Sequence, residues 1–364
     1  MNYLTSHLLP VDVVFHTSWW NKHAGITFDE EFFYDPRRRV SDEQRMEQTL
    51  YDRFGEFGLG AHHAEERPEI GAVHLAAGYL LSEMLGCRIE YGENTPPQVI
   101  CAHREELTID EEAPFKSEAF KRLQRLIEQL KAKYGYVTGD INWGGVLNLA
   151  MDLKGEAILM DMMLDPEGTK AYFAQIGRVV ERFFSYIQSQ TGSSSISVNR
   201  IARFMDNPLY IHSECSHTMI SEQDYEELLL PIDIAWSQKY QPYGIHYCGR
   251  DPHRHAAQFA QIQNLAFLDL GWGGDVKVLR EALPEVFFSL RLNPVEINGY
   301  SSEELREIIT SRVEASGDLR RTGICCVNMD AEVSDERVIE IFNVAENLKE
   351  QRAKRKEERA KRSV

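Results

Sequence analysis

The sequence predicts an α/β protein, a (β/α)8 barrel of the TIM type with an N-terminal cap of helix and loop. Short apolar, β-branched runs at 136–141, 194–201, 243–248, 264–270, 286–292 and 322–329 alternate with longer stretches of helical period. Strands and helices recurring every roughly 20 to 50 residues imply parallel strands joined by helical crossovers. Residues 98–101 read as one more strand before them, and seven or eight parallel strands fit a closed barrel better than an open sheet. No GxGxxG follows an early strand, which disfavours a doubly wound sheet.

The first 95 residues read as the cap and barrel entry, 96–348 as the barrel, and 349–364 as a basic helical tail, all in one structural domain. The clearest helix follows Asp165-Pro166-Glu167, a capping Asp, a proline at the first helical position and an acid in the first turn. Its apolar residues Phe173, Ile176, Val179, Val180, Phe183, Phe184 and Ile187 recur at spacings of three and four, one buried stripe. Further helices are expected from Ser221, from Ser301 with Glu304 at capping-box spacing, and from near Ser334 into the basic tail.

A chain of 364 residues with 43% hydrophobic and 27% charged residues is ordinary globular material, which excludes a disordered or fibrous chain. No apolar run reaches the roughly 18 residues of a membrane span, and the N-terminus lacks the basic and apolar regions of a signal peptide. A cytoplasmic protein is expected, with no membrane partner. The net charge of −17 repels phosphate backbones, so nucleic acid is not an expected partner. Between 349 and 362 eight Lys/Arg face three Glu, a local +5 that leaves about −22 on the rest. That tail reads as a solvated helix end, with an arm for an acidic partner as the alternative. Six cysteines (Cys87, Cys101, Cys215, Cys248, Cys325, Cys326) without a signal peptide argue against a disulfide framework.

In such a barrel, chemistry belongs at the C-terminal strand ends. The run Tyr243-Gly-Ile-His246-Tyr-Cys248-Gly249 delivers an imidazole and a thiol two residues apart, on one face of a strand, before Gly249 breaks it. That is half of a zinc site. Gly323-Ile-Cys325-Cys326 ends the last strand. Two thiolates and one imidazole neutralise Zn²⁺ and leave a fourth position open, as catalytic sites do. Neighbouring residues on a strand face opposite ways, so only one of Cys325 and Cys326 is expected to bind.

Here the chain resembles the uroporphyrinogen decarboxylase superfamily, and within it the zinc-dependent, corrinoid-linked methyltransferases. The resemblance covers roughly 140–345 and rests on the segments 155–167 and 219–231, the HxCG and the late cysteine. It implies a TIM barrel with His246, Cys248 and one late Cys on Zn²⁺, Cys326 being favoured by its spacing to the final helix and Cys325 the alternative. It also implies methyl transfer between a small-molecule donor or acceptor and cobalamin carried by a corrinoid partner protein. Related methionine synthases place an acidic ligand near Asp269, which makes it a candidate fourth ligand. The Arg-Gln-Ala-Gly-Arg segment that holds porphyrin carboxylates in true decarboxylases has no match near the N-terminus. A metal-free lyase of the decarboxylase type is therefore the alternative reading.

Other strand-end residues complete the candidate site. Glu214 is a candidate proton donor and Asp140 a candidate catalytic acid. Asn142 and Trp143, at the end of the 136–141 run, are candidate substrate contacts. Trp19 and Trp20, with Phe15, suit an aromatic methyl ether if the cap closes over the mouth. His212 and His217 read as loop histidines, and His253 and His255 as solvent-facing. Gly271-Trp-Gly-Gly274 is a glycine-rich turn that lacks the Lys-Ser/Thr of a phosphate cradle. A homodimer is a candidate assembly.

Overall fold

Alternating apolar runs and amphipathic stretches become strands and helices in the computed structural model, which describes residues 5–71, 78–192 and 200–362. The strands are β1 (Val11–Phe15), β2 (Arg88–Glu90), β3 (Gln98–Ile100), β4 (Tyr210–Glu214), β5 (Tyr243–Tyr247), β6 (Leu265–Asp269), β7 (Phe287–Leu292) and β8 (Thr322–Met329). Six of them form one parallel sheet in the order β1-β8-β7-β6-β5-β4, curled into a half-barrel. Its strands are almost wholly buried on both faces, as a sheet covered by helices requires.

The eight-stranded expectation meets this sheet only in part. Residues 98–101 form no barrel strand; β3 pairs antiparallel with β2 in a separate two-stranded sheet. The 136–141 run is not a regular strand. It meets the chain at 68–70 through one parallel bridge, where Ile70 N–H donates to the Thr138 carbonyl at 3.0 Å and Thr138 N–H to that of Pro68 at 3.1 Å. Of the 194–201 run, 194–199 lie outside the described residues, and Arg200–Phe204 is a 3₁₀ turn. Two strands of the parallel sheet were not expected, nor was β2. β1 lies within the supposed cap, and β4 carries His212, Ser213 and Glu214 in a sequence too polar to read as a buried strand.

The helices follow their caps. The Asp165 carboxylate accepts from Gly168 N–H at 2.9 Å and opens the helix Pro166–Thr191, whose expected apolar stripe is buried throughout. Asp165→Ala should cost about 1 kcal/mol, read as a lowered urea midpoint at unchanged slope. Ser221 with Asp224 and Ser301 with Glu304 form reciprocal capping boxes. The helix expected from near Ser334 runs from Asp335 to Arg362, into the basic tail. Among the described residues, no helix is long and apolar enough to cross a membrane.

Register sets the inner face in layers. Ile211, Gly244, Phe267 and Phe287 line up across β4 to β7. With Ile201, Met205 and Leu209 they form a buried apolar floor at the N-terminal strand ends. One residue pair further along each strand come Ser213, His246, Asp269 and Ser289. Above them, Arg291 on β7 stands beside Cys325 on β8. The apolar floor therefore supports a polar middle and a mouth that carries thiols.

Candidate metal centre at the mouth of the half-barrel

Strand β5 turns His246 inward, and Cys248 follows on the same side just past the strand end. His246 is fully buried, with Nδ1 2.6 Å from Asp269 Oδ2 on the neighbouring strand. That carboxylate selects the tautomer protonated at Nδ1, so the Nε2 lone pair faces the sulfurs. Nε2 lies 3.1 Å from Cys248 Sγ. The third donor is Cys215, the first residue of the turn after β4. One ligand atom each from Cys215, His246 and Cys248 lies within 4.8 Å of the others.

Arg291 reaches into the same group. Its Nη1 donates to Cys248 Sγ at 3.3 Å and its Nη2 to Asp269 Oδ2 at 2.7 Å, with Nη2 3.0 Å from His246 Nδ1. The Cys248 thiol is held well below its usual acidity range, first by a hydrogen bond from Cys215, then by the charges of His246 and Arg291, all against the cost of burial. Cys215 moves the other way, raised by donating to that sulfur and by its own burial. The two sulfurs share one hydrogen bond and are pushed in opposite directions. Burial alone would lower His246, but Cys248 and Asp269 outweigh it and raise the ring's basicity. Outside the sulfurs a cavity of about 460 Å³ opens, lined by Cys215, Thr218, Cys248, Gly249, Arg250, Asp251 and Trp272.

The expected ligands are thus only partly brought together. His246 and Cys248 converge, and Asp269 stands behind the imidazole rather than beside the sulfurs. Cys326, the favoured late cysteine, faces away: it is fully buried in the core beneath the helices, its Sγ 3.7 Å from the Leu292 carbonyl. Cys325 does face inward, but three strand spacings of about 4.8 Å separate β8 from β5. Arg291 fills the interval. Ser289 Oγ donates to Cys325 Sγ at 3.3 Å, and burial pushes that thiol up to about 12.

The remaining expected site residues sit elsewhere. Glu214 points to the helix side of β4, wholly buried, where Oε1 accepts from Leu147 N–H at 2.9 Å. It caps the helix Val146–Lys154, where the helix dipole favours an anion. Asp140 is half-buried on the irregular 136–141 segment. Asn142 lines a small cavity with Tyr34 and Tyr79, and Trp143 stacks on Phe184 at 6.1 Å between centroids. Trp19 and Trp20 are fully buried against Phe15, at 3.9 and 5.9 Å, as core aromatics. None of these lines the cavity outside Cys248.

Directly behind β4 and β5 lies a second polar group. Buried Asp233 accepts from Tyr225 and Tyr243 hydroxyls at 2.7 and 2.5 Å and lies 2.7 Å from His212 Nδ1. His212 Nε2 is 3.0 Å from Glu214 Oε1. Burial would lower His212, but the two carboxylates raise it to about 10, so the ring is an imidazolium. Val146 N–H, 3.1 Å from the same nitrogen, could pair with it only in the neutral ring. His255, expected at the surface, is fully buried and depressed to about 3, chiefly by burial.

Sequence reasoning missed Cys215, Arg291 and Trp272. A signal for Cys215 existed: in Tyr210-Ile-His-Ser-Glu-Cys215, alternation puts Ile211, Ser213 and Cys215 on one face, one β-α unit before Cys248.

No family model matches the chain, and no curated protein does. Among solved structures, a methyltransferase from Methanosarcina mazei is similar with a TM-score of 0.62 over 96% of this chain and 95% of that one, at 10% identity. At that identity the likeness is one of fold, and it extends along nearly the whole of both chains.

Proposed function

We propose that this protein is a zinc-dependent methyltransferase that moves a methyl group between a small methylated substrate or thiol and the cobalt of a corrinoid partner protein. The observation that carries the reading is the convergence of Cys215, His246 and Cys248 at the floor of an open cavity. The full-length fold likeness to a methyltransferase supports it. On this reading the segments at 68–71 and 136–141 complete an eight-stranded barrel wall.

The donor set fits zinc. Two sulfurs and one imidazole nitrogen are borderline-soft ligands, and three protein donors leave a fourth position for substrate. Charge fits as well: two thiolates balance a divalent cation, while Arg291 and Asp269 balance each other at 2.7 Å. Asp269 holds the imidazole in its donor orientation, the role that outer carboxylates play for metal-bound histidines. Bound zinc would lower the pKa of a thiol or polarise a heteroatom carrying the methyl group. Arg291 keeps positive charge beside Cys248 and steadies it as a thiolate, and the apolar floor excludes water from below.

A second reading has one observation behind it. Cys248, His246 and Asp269 stand in line at 3.1 and 2.6 Å, the order of a thiolate nucleophile with its base and orienting acid. The decarboxylase-type lyase has less support. Its octacarboxylate substrate needs several cations, and Arg250 is the one cationic side chain lining this cavity among the described residues.

The test is a metal assay on purified protein, joined to the absorption spectrum of cobalamin incubated with protein and a panel of methylated compounds and thiols. About one zinc per chain is expected, with conversion between cob(I)alamin and methylcobalamin. Zinc far below stoichiometry, with a covalent adduct on Cys248 after exposure to thioesters, would replace this reading with the nucleophilic one.

A further inference from the structure

We infer that Trp272 is the specificity-determining residue of the cavity outside Cys248, and that it takes a planar aromatic group. The inference deepens the proposed function in that it concerns the same cavity. Among the described residues, Trp272 is the one large apolar side chain lining that cavity; the others around it are thiols, a glycine, a threonine, an arginine and an aspartate. Pockets for small molecules are usually lined mainly by apolar and aromatic side chains. A wall with one indole therefore concentrates its apolar contact at one position.

The chain around Trp272 is built to hold it there. It belongs to Gly271-Trp-Gly-Gly274, the turn after β6. Gly271 has φ +64°, and a Cβ on it would collide with the Gly249 carbonyl oxygen. A Cβ on Gly273 would collide with the Arg250 carbonyl oxygen, and one on Gly274, at φ +84°, would stand 2.8 Å from Pro252 Cδ. Three glycines thus let this turn lie flat along the segment that carries Cys248. Arg312 fixes it from behind, donating through Nη2 to the carbonyls of Gly271 and Gly273 at 3.3 and 3.4 Å. A turn that only had to reverse the chain would not need close approach at all three glycines.

An indole on the cavity wall favours stacking on an aromatic ring. The aromatic preference expected of Trp19 and Trp20 therefore falls to Trp272.

The experiment uses the full chain after chelation, so that it reads the cavity without relying on zinc. Alkylation of Cys248 by iodoacetamide is followed residue by residue in the mass spectrometer, with 4-methoxybenzoate or methoxyacetate present. In wild type, 4-methoxybenzoate should protect Cys248 and methoxyacetate should protect weakly. Trp272→Ala should raise the half-protecting concentration of 4-methoxybenzoate tenfold or more, Trp272→Phe should keep it within threefold, and methoxyacetate should be indifferent to both. Near-ultraviolet circular dichroism of each variant checks that the fold persists. Equal protection of wild type and Trp272→Ala, or no protection of wild type, overturns the inference. Failure of the zinc reading appears separately, in the metal content before chelation.

Discussion

Cys215→Ala should leave the purified protein with less than about a tenth of the zinc held by wild type, since a three-donor site loses a charged ligand outright. His246→Ala and Cys248→Ala should do the same, whereas Cys326→Ala should keep its zinc. The contrast is sharp because Cys215 stands where the resemblance puts a late cysteine: Cys215 joins His246 and Cys248, and Cys326 packs beneath the helices. Asp269→Asn should fall between, weakening zinc about 10- to 100-fold as loss of an outer carboxylate does. Atomic absorption on each variant, with competition by a chromogenic chelator, checks all five. Loss of zinc in Cys326→Ala with retention in Cys215→Ala would reverse the assignment.

Asp233→Ala should cost about 3–5 kcal/mol, because it strips the carboxylate from a buried imidazolium and two buried hydroxyls at once. Urea denaturation of the variant against wild type reads this directly. The same group gives stability a pH dependence. Asp233 is held below its usual 3.8 although burial alone would raise it, chiefly by the charge on His212. Its contribution is present above that usual value and fades as pH falls through the lowered one. His212 is raised from 6.5 to about 10, so its contribution is complete below 6.5 and fades as pH climbs toward 10. Wild type should therefore lose stability between pH 7 and 9.5, by at most roughly 1.4 kcal/mol per pH unit. Asp233→Ala should show a flatter profile over that range.

Much of the architecture was legible because it is local. Asp165, Ser221 and Ser301 announce helices through short-range hydrogen bonds, and β5 to β8 are continuous apolar runs that only a doubly covered strand tolerates. β4 was not legible, because His212 and Glu214 are buried by partners on other elements, Asp233 and the helix Val146–Lys154, that no local pattern displays. β1 hid behind the position of its five residues in a region that otherwise reads as helix and loop. At the site, the pair His246 and Cys248 could be read from period two alone. Its third member could not be chosen by spacing, because strand order decides which thiol is near. Arg291, from β7, occupies the path that Cys325 would need.

The plug formed by Ile201 with Phe267 and Phe287 has a kinetic meaning. A vessel stoppered at its base has its doorway at the rim, so whatever arrives at the sulfurs comes and departs by the same route. The smaller reactant must therefore be seated before the corrinoid partner covers the rim. Both reactants are then present at the moment of transfer, and initial-rate plots against paired concentrations should give intersecting rather than parallel lines.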